Sequence, residues 1–287
     1  MLNCYAGLDD LTQSMKGGNS TVDKAVALRV VEAVSRAYDR GLEWQFFDKK
    51  SQTVYYDGNG KLKLHLRSAA VVRGGSHAGL LSVTSLAIDE NDDGTYEKTA
   101  VENTDFWLTD RWLDDGPYTA LEAMARSTQL SGGWWRAPRS VKVVGDTGYS
   151  NETEAAGTLG AAISDTTGTS VTMTSGHTVQ AGNTILVDTE YLFVSAVTGV
   201  ALTVTRGVNG STAATHLINA AVSRRRYPRP IELGVVAESA RLIRDGLTGF
   251  SGQVANQDFA GYAFQAVYPA IRDLKASFHP TGMAVAV

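Results

Sequence analysis

The run SLAIDENDDGTYEKTA, residues 85–100, places Asp89, Asn91, Asp93 and Gly94 at the first, third, fifth and sixth positions of a calcium-loop spacing. Hard cations of this kind take carboxylate and carbonyl oxygens, and the helix-flanked form of the loop closes on a bidentate Glu at position twelve. Position twelve is Ala100, and the flanks LLSVTSLAI and TYEKTAV alternate like strands. Asp and Asn also favour turns, because their side chains accept bonds from nearby backbone amides. A polar strand-connecting turn is therefore expected. A calcium site of another design, with Asp89, Asn91 and Asp93 as ligands, is the alternative.

The other reactive residue types are dispersed. His65, His77, His177, His216 and His279 form no pair with metal-ligand spacing, and the single cysteine, Cys4, excludes intramolecular disulfides and cysteine-rich metal sites. No nucleophile elbow or phosphate loop is present, and adjacent acidic pairs on strands point to opposite faces. No catalytic residue, no enzyme activity and no cofactor is expected. Trp107, Trp112, Trp134 and Trp135 cluster between residues 106 and 135, and GGWWRAP sets Trp134 and Trp135 beside flexible glycines as a candidate inter-subunit contact. Arg224, Arg225, Arg226 and Arg229 in SRRRYPRP suit either salt bridges to neighbouring subunits, the preferred reading, or passing nucleic acid.

These residues need elements to position them. The 287 residues carry a net charge of −4, so no global basic surface asks for nucleic acid. No signal peptide and no apolar run long enough to span a bilayer is visible. Residues 1–20 read as an extended or mobile arm. Residues 20–40 read as a helix capped by Ser20 or Thr21, with Asp23 in its first turn, the stripe Val22, Val26, Val30, Ala33 and Ala37 widened by Leu28, Val31, Val34 and Tyr38, and Gly41 as the stop. Residues 42–146 read mostly as strands, with Asp57-Gly58-Asn59-Gly60 as a hairpin turn. Residues 161–222 are Thr/Val/Ala/Gly-rich short strands, a small all-β module. After Pro230 the period is helical again, with Leu233, Val236, Ala240 and Ile243 on one face. A further stripe is Val267, Ile271, Leu274 and Phe278. The expected fold is α+β: a helical core from both chain ends with β-hairpins and sheet, and an inserted small all-β domain of sandwich or barrel type. The expected domains are an arm, 1–20, a connector core, 21–157 and 223–287, and the module, 158–222.

The order of segments resembles the head-to-tail connector, or adaptor, proteins of tailed bacteriophages over about residues 21 to 278. The helix AVALRVVEAVSRAYDR precedes FFDKKSQTVYYDGNGKLKLHL, then LLSVTSLAIDENDDGTYE, DFWLTD and WWRAPRSVKVVGDTGY. The segment 158–222 looks like a module found inserted in phage structural proteins. Its hallmark run is met by Glu190-Tyr191-Leu192, by Leu202-Thr203-Val204-Thr205-Arg206-Gly207-Val208-Asn209-Gly210 and by His216. The resemblance implies a ring of twelve subunits in the virion neck, between capsid and tail and assembled in the host cytoplasm. Such a ring docks on the portal protein, extends the DNA channel with transient contact to the genome, and offers a surface to the next neck or tail protein, with no membrane involved. It places portal or subunit contacts in helix 262–278 and tail 281–287, at Tyr268, Ile271, Leu274, Phe278, Met283, Val285 and Val287. The alternative is a phage surface protein that binds glycans or the host through the β module.

Overall fold

A computed structural model describes residues 3–15, 23–66, 79–111, 116–247 and Leu274. In chain order the elements are α1 (Leu8–Ser14), α2 (Lys24–Leu42), β1 (Lys49–Tyr56), β2 (Lys63–His65), β3 (Gly79–Leu80), β4 (Ser85–Ile88), β5 (Lys98–Ala100), β6 (Phe106–Arg111), β7 (Tyr118–Ala123), β8 (Val141–Gly148), β9 (Thr153–Thr158), β10 (Ser170–Thr172), β11 (Thr184–Val187), β12 (Glu190–Thr198), β13 (Ala201–Thr205), β14 (Ala221–Arg225) and α3 (Arg229–Leu247). The chain divides into two compact units, one of Met1–Leu42 with Glu152–Val287 and one of Glu43–Asn151.

This corrects the expected fold class. The protein is mostly β, with two antiparallel sheets and three short helices among the described residues, not a helical core decorated with strands. The reason lies in where apolar area is buried. The strands build clusters of their own: Ile185, Val187, Leu192, Val194, Leu202, Val204 and Val222 in one unit, and Leu64, Leu80, Leu86, Phe106, Leu121, Trp134 and Val143 in the other. Alternating residues line one face of a sheet, so each sheet supplies a continuous apolar surface that two paired helices do not match.

In the unit of residues 43–151, β8 is the axis. It pairs with β1 along one edge and with β4 and β3 along the other, and β5 extends the sheet beyond β4. β7 pairs with β6, β2 and β3. The Asp57–Gly60 turn therefore does not close a hairpin: β1 pairs with β8 and β2 with β7. What holds it is tertiary. Gly58 donates to Ala137 O, and a Cβ there would lie 1.6 Å from the Trp135 carbonyl oxygen.

In the other unit the sheet order is β10-β13-β12-β11-β14-β9. Residues 3–15 are packed rather than arm-like, with Cys4, Tyr5 and Leu11 each at most 2% exposed. Tyr5 donates its amide to Ser35 Oγ and its hydroxyl to Asp39, and Arg36 lies over its ring. In α2 the cap is Asp23, whose Oδ1 accepts from the Ala25 and Val26 amides at 2.7 and 3.1 Å; Ser20 and Thr21 lie outside the described residues. The buried face is Ala27, Val31, Val34, Tyr38 and Leu42, while Val26 of the expected stripe is exposed. α3 buries Ile231, Val235, Ala240 and Ile243 and leaves Leu233 64% exposed. Gly234 lets α3 approach α2, since a Cβ there would sit 2.5 Å from the Tyr38 hydroxyl. No helix among the described residues is long and apolar enough to cross a membrane.

Candidate functional site

Two places in the unit of residues 1–42 and 152–287 concentrate polar side chains. The first is a groove of about 310 Å³ between the N-terminal segment, α1, the end of β14 and the start of α3. Its walls include Ala6, Gln13, Arg226, Arg229, Leu233 and Val236. The arginines reach it because β14 ends there and α3 begins four residues later. Arg224 and Arg226 both pair with Glu154 on the adjacent strand β9, and Arg226 Nε also lies 3.6 Å from Glu232. Burial alone would raise the Glu154 carboxyl, but the bonds from Arg226 and Arg224 outweigh it and hold it below the usual carboxylate range. Arg225 is buried, donating to Glu152 O at 2.7 Å and facing the Tyr191 ring. Arg229 keeps 72% of its side chain exposed, 3.4 Å from Glu232. The basic cluster therefore carries its own counter-charges, where partners from neighbouring subunits were expected. Cys4 also lines the groove, but burial pushes its thiol up to about 12, which leaves it protonated and unreactive.

The second place is the end of the sheet where β11 and β13 finish and β12 begins. Glu190, fully buried, accepts five bonds. Arg206 Nε and the Gly207 amide reach Oε1 at 2.7 and 3.0 Å. Arg206 Nη2, the Ala214 amide and His216 Nε2 reach Oε2 at 2.6, 3.0 and 2.8 Å. The other imidazole nitrogen of His216 faces Asp188 Oδ2 at 2.7 Å. Burial alone would raise the Glu190 carboxyl, yet the bonds from Arg206, His216 and the Ala214 amide bring it down to about 2. Gly207 and Asn209 have positive φ of 61° and 57°, which wraps the loop around the carboxylate. Asn209 in turn exchanges amide bonds with Asn3, at 2.7 and 3.1 Å. Glu190, Arg206, Gly207 and His216 are thus one buried network and Asn209 its link to the N-terminal segment.

In the unit of residues 43–151 the acidic run is the connection between β4 and β5, with Leu86 opposite Ala100 and Ile88 opposite Lys98. Asp89 Oδ1 accepts from the Asn91 and Asp92 amides at 3.3 and 2.8 Å, and Oδ2 from the Gly94 amide at 2.9 Å. Asp93 accepts from the Thr95 amide at 2.7 Å, and that bond leads the causes that lower its carboxyl. The carboxylates of Asp89, Asp93 and Glu97 lie within 4.8 Å of one another, so Glu97 is a third carboxylate beside the two aspartates. Asn91 instead bonds Asp93 at 3.1 Å, and Ala100 is buried in the core. Both oxygens of Asp89 are engaged by amides, so the loop is built as a turn.

Trp134 is fully buried and donates Nε1 to Leu62 O at 2.8 Å, so it is a core residue and not a surface contact; Trp135 is 47% exposed. Leu274 is helical, while Tyr268, Ile271, Phe278, Met283, Val285 and Val287 lie outside the described residues, as do His77, His279 and Trp112. Sequence reasoning missed Glu190 as the centre of a network, because its partners are 16 to 26 residues away. Comparison with known proteins finds no matching family, no matching curated protein and no matching solved structure.

Proposed function

We propose that the protein is a structural, non-enzymatic ring subunit of a phage neck, a head-to-tail adaptor. Its partners are further copies of itself, a portal protein and a downstream neck or tail protein, and the genome passes through its channel. The reading rests first on the segment order described above. The observation that supports it in three dimensions is the set of large apolar side chains that stand exposed. In one unit these are Val26 on α2, Leu233 and Leu242 on α3, and the adjacent pair Leu217 and Ile218. In the other they are Leu62, Trp107 and Trp135. Val26, Leu233, Leu242 and Trp107 stand on helices and a strand and the others on connections, and exposed side chains of this size suit surfaces that are covered on assembly.

The test is electron microscopy of the purified protein, alone and mixed with its portal protein. Rings of one diameter are expected. Monomers under both conditions would remove the proposal. Deleting residues 281–287 is expected to abolish portal binding while leaving the fold of residues 3–247 intact by circular dichroism.

A further inference from the structure

His216 closes the Glu190 network on its solvent side. Its side chain is 1% exposed, and both ring nitrogens face carboxylate oxygens, Nδ1 with Asp188 Oδ2 at 2.7 Å and Nε2 with Glu190 Oε2 at 2.8 Å. An ionised carboxylate offers acceptors only, and a neutral imidazole carries hydrogen on one nitrogen only. A neutral ring would therefore set a bare nitrogen against an oxygen lone pair at one of the two contacts. Neither carboxylate supplies the missing hydrogen. Glu190 already accepts twice from Arg206 and once each from the Gly207 and Ala214 amides. Asp188, with its side chain 61% exposed, keeps water around its charge. The contacts fit a ring with hydrogen on both nitrogens, a cation between two anions.

The two contacts are held with unequal firmness. Glu190 is the fully buried first residue of β12, whereas Asp188 lies in the turn between β11 and β12, at φ of 51°. The His216 backbone is fixed separately, exchanging both of its bonds with Ile163 at 2.9 Å. Among the described residues, the charged groups that the ring and its partners meet are Glu190 on β12, Asp188 on the turn, Arg206 just beyond β13, and Asp165 before β10, which attracts the Arg206 guanidinium.

We propose that His216 is a pH-sensitive latch: as the doubly protonated imidazolium it ties the β11–β12 turn to the buried Glu190 network, and at higher pH it loses the Nδ1 hydrogen and releases Asp188. The proton passes from Nδ1 to water at the exposed contact. Nε2–H stays on Glu190, because a buried carboxylate would otherwise lose a donor that water does not replace. Only the turn opens, since His216 keeps its backbone bonds to Ile163 and Glu190 keeps Arg206. The exposed pair Leu217 and Ile218 follows His216 directly, so the latch fixes the turn beside that apolar surface. It operates within one chain, whether or not copies assemble into a ring.

Hydrogen exchange of the full chain tests the latch, read from about pH 5 to about pH 8 and corrected for the intrinsic rate. Protection of the amides of residues 187–191 should fall at least about tenfold across that range, the size of one bond between charged groups. Asp188→Asn should abolish the fall. Its carboxamide accepts from a protonated Nδ1 and donates to a bare one, and Asn, like Asp, tolerates positive φ, so the turn stays bound at either pH. The same fall in both chains, or none in the wild type, would overturn the latch. Nitrogen NMR of the histidine rings gives a second readout. The ring whose signals move in Asp188→Asn should carry hydrogen on both nitrogens at the acid end of the range and on one at the alkaline end. A nitrogen that is bare throughout would also overturn it.

Discussion

Glu190 and Asp89 are both buried carboxylates at strand-end turns, and they are satisfied in opposite ways. Asp89 is held by the amides of Asn91, Asp92 and Gly94, all within five residues. Glu190 is held by a guanidinium, an imidazole and two amides from residues 206 to 216. The local arrangement shapes a turn through neutral amides. The distant one neutralises a charge that burial would otherwise expel, and in doing so ties three strand ends and a loop together. A carboxylate's role is thus set by the sequence separation of its donors and by whether they carry charge.

The largest expected effect comes from breaking the distant lock. Glu190→Gln should cost about 3–5 kcal/mol, because Arg206, with its side chain 5% exposed, is left buried without its anion. A denaturant melt read by circular dichroism measures this. A cost below 1 kcal/mol would mean that the two carboxylates do not differ in kind.

Acid sharpens the same contrast. Folding depresses the Glu190 carboxyl to about 2. Its contribution is therefore fully present above the ordinary carboxylate value and is lost as pH falls toward 2. Stability of the wild type should decline through that window, and the decline should be shallower in Glu190→Gln. Equal slopes would remove Glu190 as the cause.

The local turn should yield less. Asp89→Ala leaves three amides without their acceptor and should cost about 1–3 kcal/mol, with the β4–β5 hairpin exchanging its amide protons faster. The smallest effect expected is that of calcium. Adding it should leave the melting temperature unchanged, since binding to the folded state alone would raise it. A rise abolished by Asp93→Asn would restore the cation-loop reading. Without calcium, Asp93→Asn should change stability by at most about 0.5 kcal/mol.

How much was legible in the chain follows the same division. The acidic turn was readable because its bonds are local and its twelfth position is Ala100. The helices around Val31 and Val235 were readable from their period, and Val31, Val34, Tyr38, Ala240 and Ile243 of the expected faces are buried, though the edges of those faces were not readable. Val26 and Leu233 belong to the apolar stripes, yet both are exposed, because the choice of face depends on where the partner lies. The Asp57–Gly60 turn had the residues of a hairpin, but the strands it joins pair with β8 and β7 instead. Trp134 and Trp135 are neighbours of one type, and only packing sends one into the core and leaves the other half-exposed.

By itself the sequence determined the elements whose signals repeat over a few residues: amphipathic helices, alternating strands and Asx-rich turns. Tertiary structure alone decided that the sheets, not the helices, carry the large cores, that Arg224, Arg226 and Arg229 find Glu154 and Glu232 within their own chain, and that Arg206, Gly207, Ala214 and His216 close on the buried Glu190 carboxylate. The physical reason is range. Backbone propensity and turn chemistry act between near neighbours, whereas burial and ion pairing act between whatever residues folding brings into contact.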